Sequence, residues 1–126
     1  MSEKILIADD DPNATRFAQF VLEQKGYQVV TASNGLEGLN KVAEEKPDLV
    51  ILDIMLPGMD GFQICRRLRA AESTARLPIL MLSGKARESD RESGLKVGAD
   101  EYLTKPASPA DLTNAVQKLL AKDNEV

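Results

Sequence analysis

The chain has 126 residues, 43% apolar and 29% charged, which suits one globular domain with a real core. A formal net charge of −4 and a pI near 4.9 argue against direct binding to nucleic acid, which needs a basic face. The absence of histidine excludes Ser-His-Asp and Cys-His catalysis and histidine-based metal sites, and the single cysteine, Cys65, excludes an internal disulfide and suits a reducing cytoplasm.

Lys4 to Ala8 is a short β-type run that ends in Asp9-Asp10-Asp11-Pro12. Asp11 as N-cap and Pro12 at the first helical position predict a helix start. Ala14, Phe17, Ala18, Val21 and Leu22 follow at helical spacing, and Gly26 closes the helix. Tyr27 to Ala32 reads as the second strand. Asn34-Gly35 turns into a second helix with Leu36, Leu39, Val42 and Ala43 on its inner side, stopped by Pro47. Leu49 to Leu52 is an unbroken apolar run, the pattern of a strand buried on both faces of a parallel sheet, and Asp53 stands at its carboxyl end. Pro57-Gly58 is a turn signal, and Asp60 caps a third helix with Gly61, Ile64, Cys65 and Leu68 facing inward. The fourth strand, Ile79 to Leu82, leads into Ser83-Gly84-Lys85. From Ala86 to Val97 the chain is so polar that a helix there is either weakly docked or made to meet a partner. Glu101 to Leu103 is a short fifth strand before Thr104-Lys105-Pro106. Ser108-Pro109-Ala110-Asp111 has the form of a capping box, and Leu112, Ala115, Val116, Leu119 and Leu120 form the inner stripe of the last helix, with a polar tail from Lys122.

Five strands alternating with five helices predict an α/β fold: a doubly wound, five-stranded parallel sheet in the flavodoxin-like order 2-1-3-4-5, forming one domain over residues 1–126. No apolar segment approaches the ~20 residues that span a bilayer. The start, Met1-Ser2-Glu3-Lys4, lacks a signal peptide's apolar region, so a cytoplasmic location without membrane contact is expected.

All strand ends of a parallel sheet point one way, so Asp9, Asp10, Asp53, Ser83 and Lys105 are expected at one edge. Singly, each has a plain reading: a capped turn, a turn serine, a solvated lysine. Together they form a constellation. Gathered carboxylates repel and need neutralising, and a hard divalent cation such as Mg²⁺ answers that need with oxygen ligands. Asp10 and Asp53 can supply carboxylates, Asp9 can hold a metal-bound water, and the Met55 carbonyl can add an oxygen. Lys105 brings positive charge and Ser83 a hydroxyl. These parts match phosphoryl transfer to a carboxylate.

With these motifs in place, the chain resembles the response-regulator receiver domains of two-component phosphorelay signalling. The resemblance rests on Asp9-Asp10, on Leu52-Asp53-Ile54-Met55-Leu56-Pro57-Gly58-Met59-Asp60-Gly61, on Ser83-Gly84 and on Tyr102-Leu103-Thr104-Lys105-Pro106. It implies that Asp53 is the phosphoacceptor and takes its phosphoryl group from a histidine kinase or histidine phosphotransfer protein, which fits the missing histidine. It also implies Mg²⁺ on Asp10, Asp53 and the Met55 carbonyl with Asp9 assisting through water, and contacts from Ser83 and Lys105 to the phosphoryl group. Tyr102 would be the aromatic that turns inward on activation, and the Lys105-Pro106 bond is typically cis in the family. Such a domain is a switch rather than an enzyme for other substrates, acting on an output partner or output domain through the face of helix 4, strand 5 and helix 5. That face also leaves open a homodimer, although Ala107 stands where many relatives that dimerise to drive transcription carry phenylalanine. Met55 and Lys85 flank the expected site, and a bulky apolar Met55 suggests a long-lived phosphoryl group. Two rivals fit less well. A haloacid-dehalogenase-like phosphatase needs a carboxylate where Met55 stands, and a flavin domain needs a phosphate loop where Asp9-Asp10-Asp11 stands.

Overall fold

The computed structural model describes residues 2–123. Its elements are β1 (Lys4–Ala8), α1 (Pro12–Gln24), β2 (Gln28–Ala32), α2 (Gly35–Glu45), β3 (Leu49–Leu52), α3 (Gly61–Ala70), a 3-10 turn (Glu72–Thr74), β4 (Ile79–Ser83), α4 (Glu88–Lys96), β5 (Glu101–Thr104) and α5 (Pro109–Asp123). The five strands form one parallel sheet in the order β2-β1-β3-β4-β5, as expected.

Alternation along the strands builds two cores. Ile5, Ile7, Leu49, Ile51, Leu80 and Leu82 face α1 and α5, where Ala18, Leu22, Leu112, Val116 and Leu119 meet them. Leu6, Ala8, Val50, Leu52 and Met81 face the other way, toward Val42 of α2, Ile64, Cys65 and Leu68 of α3, and Tyr102. Every residue of β3 is buried, as a central strand covered on both sides requires.

The helix starts follow their capping residues. The Asp11 side chain accepts from the Asn13 N–H, and Asn34 accepts from the Glu37 N–H. Asp60 and Gln63 cap α3 reciprocally, each side chain accepting from the other's N–H. Ser108 Oγ accepts from the Asp111 N–H at 3.0 Å. Of the expected polar tail, Lys122 and Asp123 belong to α5, and residues 124–126 lie outside the described residues.

Two inner faces differ from expectation. Leu36 is 64% exposed and Ala43 is also exposed, because α2 buries Gly35, Gly38 and Val42 instead. A side chain at Gly35 would collide with Met59, and Gly38 sits in ordinary contact with Ala8 of β1, so α2 docks on this glycine face and turns Leu36 outward. On α1, Phe17 is 43% exposed, and Phe20, assigned to neither face from sequence, is 65% exposed. The polar segment forms the nine-residue α4, shorter than the span from Ala86 to Val97, with Gly94 its only buried residue.

Candidate functional site

The strand register sets the site. Ala8 pairs with Leu52, so Asp9 and Asp53 emerge side by side from β1 and β3. The Asp53 N–H donates to the Ala8 carbonyl and the Asp9 N–H to the Ala32 carbonyl, both at 3.0 Å, which continues the ladder just past the strand ends. On the far side, Ser83 pairs with Thr104, and the Lys105 N–H donates to the Ser83 carbonyl at 2.8 Å. Gly61, at the start of α3, lies so close to the Asp53 backbone that a side chain there would collide with it, and its N–H holds the Ile54 carbonyl at 2.9 Å. The loop after Asp53 is thereby folded back against the helix it feeds.

Asp9, Asp10 and Asp53 each offer a carboxylate oxygen within 4.8 Å of the others. Asp9 and Asp53 are buried and Asp10 is exposed, so the cluster opens to solvent on one side. Lys105 reaches in from the β5–α5 loop, its Nζ donating to Asp9 Oδ2 at 2.6 Å and to Asp53 Oδ2 at 2.9 Å. Asp53 Oδ1 accepts from the Met55 N–H at 3.2 Å, and Asp9 Oδ1 from the Asp11 N–H at 3.0 Å. Burial pushes the Asp9 carboxyl above the usual carboxylate range; the Lys105 hydrogen bond, the Asp11 N–H and the Lys105 charge oppose this, and Asp53 adds to it. Burial acts to lower the Lys105 pKa, but its bonds to Asp9 and Asp53 outweigh that and hold the ammonium above the ordinary lysine value. Three carboxylates facing one ammonium leave an excess of anionic oxygen, and that donor chemistry fits a hard divalent cation.

Ser83 is fully buried at the end of β4, its Oγ accepting from the Lys85 N–H at 3.3 Å. The Met55 side chain is 60% exposed at the mouth, in a cleft it shares with Asp10, Phe62 and Lys85. The Lys105–Pro106 bond is cis. Tyr102 is not the half-exposed edge aromatic that its strand position alone allows: it is 2% exposed, and its hydroxyl donates to the Lys85 carbonyl at 2.7 Å. Sequence reasoning missed two contacts of this residue with α4: Arg91, which donates to the Tyr102 carbonyl, and Gly94, which lies against the ring; the glycine within a helical run was the available signal.

A family model, the response regulator receiver domain, matches residues 5–117. The chain belongs to this family. The receiver domain is 45% identical over 122 residues to the alkaline phosphatase synthesis transcriptional regulatory protein PhoP of Bacillus subtilis, covering 97% of this chain and 50% of that protein. It is 41% identical to the DNA-binding dual master transcriptional regulator RpaA of Synechocystis, covering 98% of this chain and 51% of that one. The chain thus spans about half the length of these curated relatives. Among solved structures, a response regulator from Chloroflexus aurantiacus superposes with a TM-score of 0.93 at 38% identity, covering 96% of this chain and 99% of the other. The receiver domain of a sensor histidine kinase from Pseudomonas aeruginosa, described with a magnesium ion coordinated in its active site cleft, gives 0.88 at 30% identity, covering 96% and 99%. This chain is a receiver domain, the phosphoacceptor switch of two-component response regulators. No helix among the described residues is long and apolar enough to cross a membrane.

Proposed function

We propose that Asp53 is the phosphoacceptor and that residues 1–126 are one receiver domain acting in the cytoplasm. A histidine kinase or histidine phosphotransfer protein is the donor. An Asp53 carboxylate oxygen attacks phosphorus, the bond from phosphorus to the donor's imidazole nitrogen breaks, and the imidazole leaves with the electron pair. Asp10, Asp53 and the Met55 carbonyl would hold Mg²⁺, with Asp9 reaching it through water; when bound, the ion supplies positive charge beside the oxygens of the transferred group.

The chain's own residues do the rest. The Met55 N–H and Lys105 fix the two Asp53 oxygens, so the nucleophile is oriented before the donor arrives. The Lys105 ammonium offers the phosphoryl oxygens a fixed cation, and the Ser83 hydroxyl offers a donor from β4. The phosphoryl group carries roughly −1.5 to −2 charge where the Asp53 carboxylate carried a single one, and brings new acceptor oxygens; this draws on Ser83 and Lys105 and passes through Lys85 and Tyr102 to the face of α4, β5 and α5. An output partner or output domain reads that face. The domain promotes only its own phosphorylation and dephosphorylation. Met55, with Phe62 beside it, screens Asp53 from water and supports a long-lived phosphoryl group.

The observation that carries this reading is the Lys105 bridge between Asp9 and Asp53, which joins residues 96 and 52 positions apart. The experiment is incubation with acetyl phosphate and Mg²⁺, followed by intact mass. The wild type gains one phosphoryl group and Asp53→Asn gains none; a label that survives Asp53→Asn overturns the assignment.

A further inference from the structure

α4 meets the sheet at a position that has no side chain. A Cβ at Gly94 would lie 2.8 Å from Met81 Sδ and 3.0 and 3.3 Å from Cδ2 and Cε2 of Tyr102. Carbon atoms pack best about 3.5–4.0 Å apart, so the Tyr102 ring and Met81 Sδ together fill the space that a side chain there would need. The same residue is tied at two further points. Its hydroxyl holds the Lys85 carbonyl, and its own carbonyl accepts from Arg91 Nη1 at 3.1 Å. Arg91 and Gly94 are three residues apart on α4 and so lie on one side of it.

The two ends of α4 are held differently. At the C-terminal end, Arg69 Nε of α3 donates to the Gly98 carbonyl at 2.9 Å, and Cys65 Sγ donates to the Val97 carbonyl at 3.6 Å. Arg69 also holds the Leu77 carbonyl and Asp100, which ties this end to the base of the sheet. At the N-terminal end, Arg87 is an N-cap with no side-chain cap bond, and the loop before it is held through Lys85 by Tyr102.

We propose that Gly94 is the seat of the Tyr102 ring, so that the inward ring and the closely docked helix require each other, and that Gly94 thereby positions the loop carrying Ser83 and Lys85. A helix lying this close leaves no room for a side chain over the ring. A ring held inward keeps the Lys85 carbonyl in place. Displacing either one frees the other, while the Arg69 end of α4 stays fixed. The clamp belongs to the fold; its use as the relay from Asp53 rests on the function proposed above.

The test uses Gly94→Ala, Tyr102→Ala, the double variant and Ser93→Ala as an exposed control on the same helix, all without a phosphoryl donor. In an ordinary helix interior, replacing glycine by alanine stabilises. Here Gly94→Ala is expected to lower the folding equilibrium constant roughly tenfold in urea titrations, as overpacking does. In the Tyr102→Ala background the same change should cost clearly less, because only the approach to Met81 Sδ, the end of a flexible side chain, remains. The chain has two tyrosines, so 3-fluorotyrosine in a Tyr27→Phe background reports Tyr102 alone. Its fluorine resonance should move toward the solvent-exposed position in Gly94→Ala. Stabilisation by Gly94→Ala, a cost undiminished in Tyr102→Ala, or an unmoved resonance overturns the proposal. If Gly94→Ala does not fold, the double variant must; its failure also overturns it. None of these readouts involves Asp53 labelling, so the clamp and the phosphoacceptor assignment fail separately.

Discussion

Lys105→Met keeps the length and apolar stem of the side chain and removes only the ammonium. That ammonium stands 2.6 Å from Asp9 and 2.9 Å from Asp53, whose side chains are 5% and 8% exposed, while that of Lys105 is 21% exposed. At an effective dielectric constant of about 20, each attraction is worth about 6 kcal/mol before desolvation, and desolvation offsets most of it. Removing one partner of a fully buried pair costs about 3–5 kcal/mol, because the other charge stays buried and unpaired. This site is open on the Asp10 side, and the Asp9 carboxyl, already raised, can take up a proton. Both reduce the loss, to about 2–3 kcal/mol. At roughly 4 °C per kcal/mol for a domain of this size, the thermal midpoint should fall by about 8–12 °C.

The assay is thermal and urea unfolding in a chelating buffer, with Asp53→Asn as the second arm of a double-mutant cycle. In Asp53→Asn the ammonium faces one fewer buried carboxylate, so Lys105→Met should cost only about 1 kcal/mol there, a coupling of about 1–2 kcal/mol. A neutral or stabilising Lys105→Met in the wild type refutes the reasoning. So does an equal cost in the two backgrounds, since it would mean that Lys105 does not act through Asp53.

Cys65 is buried beneath the turn after α4, and burial pushes its thiol above the ordinary value, so iodoacetamide at pH 8 should leave the native protein unmodified and label it fully in urea; rapid native labelling contradicts the placement. Phe17 is exposed on α1 and lines a groove with Lys105, Pro106 and Ala107, next to where a donor must approach. Phe17→Glu should therefore slow transfer from a phosphorylated kinase by tenfold or more and leave acetyl phosphate labelling unchanged, whereas equal loss in both assays would argue against a docking role. Met55→Ala opens the mouth of the site to water and should shorten the phosphoryl lifetime, followed by intact mass after donor removal; an unchanged decay, or release from the wild type within seconds, counts against the screening role of Met55.

The sheet and the acidic site were legible because each has a local signature. β3 is an unbroken apolar run with its aspartate at the end, and Asp11, Asn34 and Asp60 mark helix starts through bonds to N–H groups two or three residues away. Given parallel strands in the order 2-1-3-4-5, the meeting of Asp9, Asp10, Asp53 and Lys105 follows from the topology. What stayed hidden depends on contacts between elements. Arg69 gathers carbonyls from two separate connections, Ala75 and Leu77 before β4 and Gly98 after α4, and no spacing within α3 announces that. The inward turn of Tyr102 depends on Lys85 and on α4.

The misread face of α2 has a physical cause. Apolar periodicity finds a buried face by its large side chains, but α2 and α4 dock on glycines, and a glycine carries no apolar signal while allowing the closest approach of all. On α2 this moved Leu36 from the expected inside to the surface. α4, whose polarity predicts weak docking or a partner, buries Gly94 alone of its nine residues. Close docking on glycine holds a helix by shape, with little apolar area to resist displacement. That property suits the relay proposed above, in which α4 would stay in register with a tyrosine and move when a charge arrives at the end of β3.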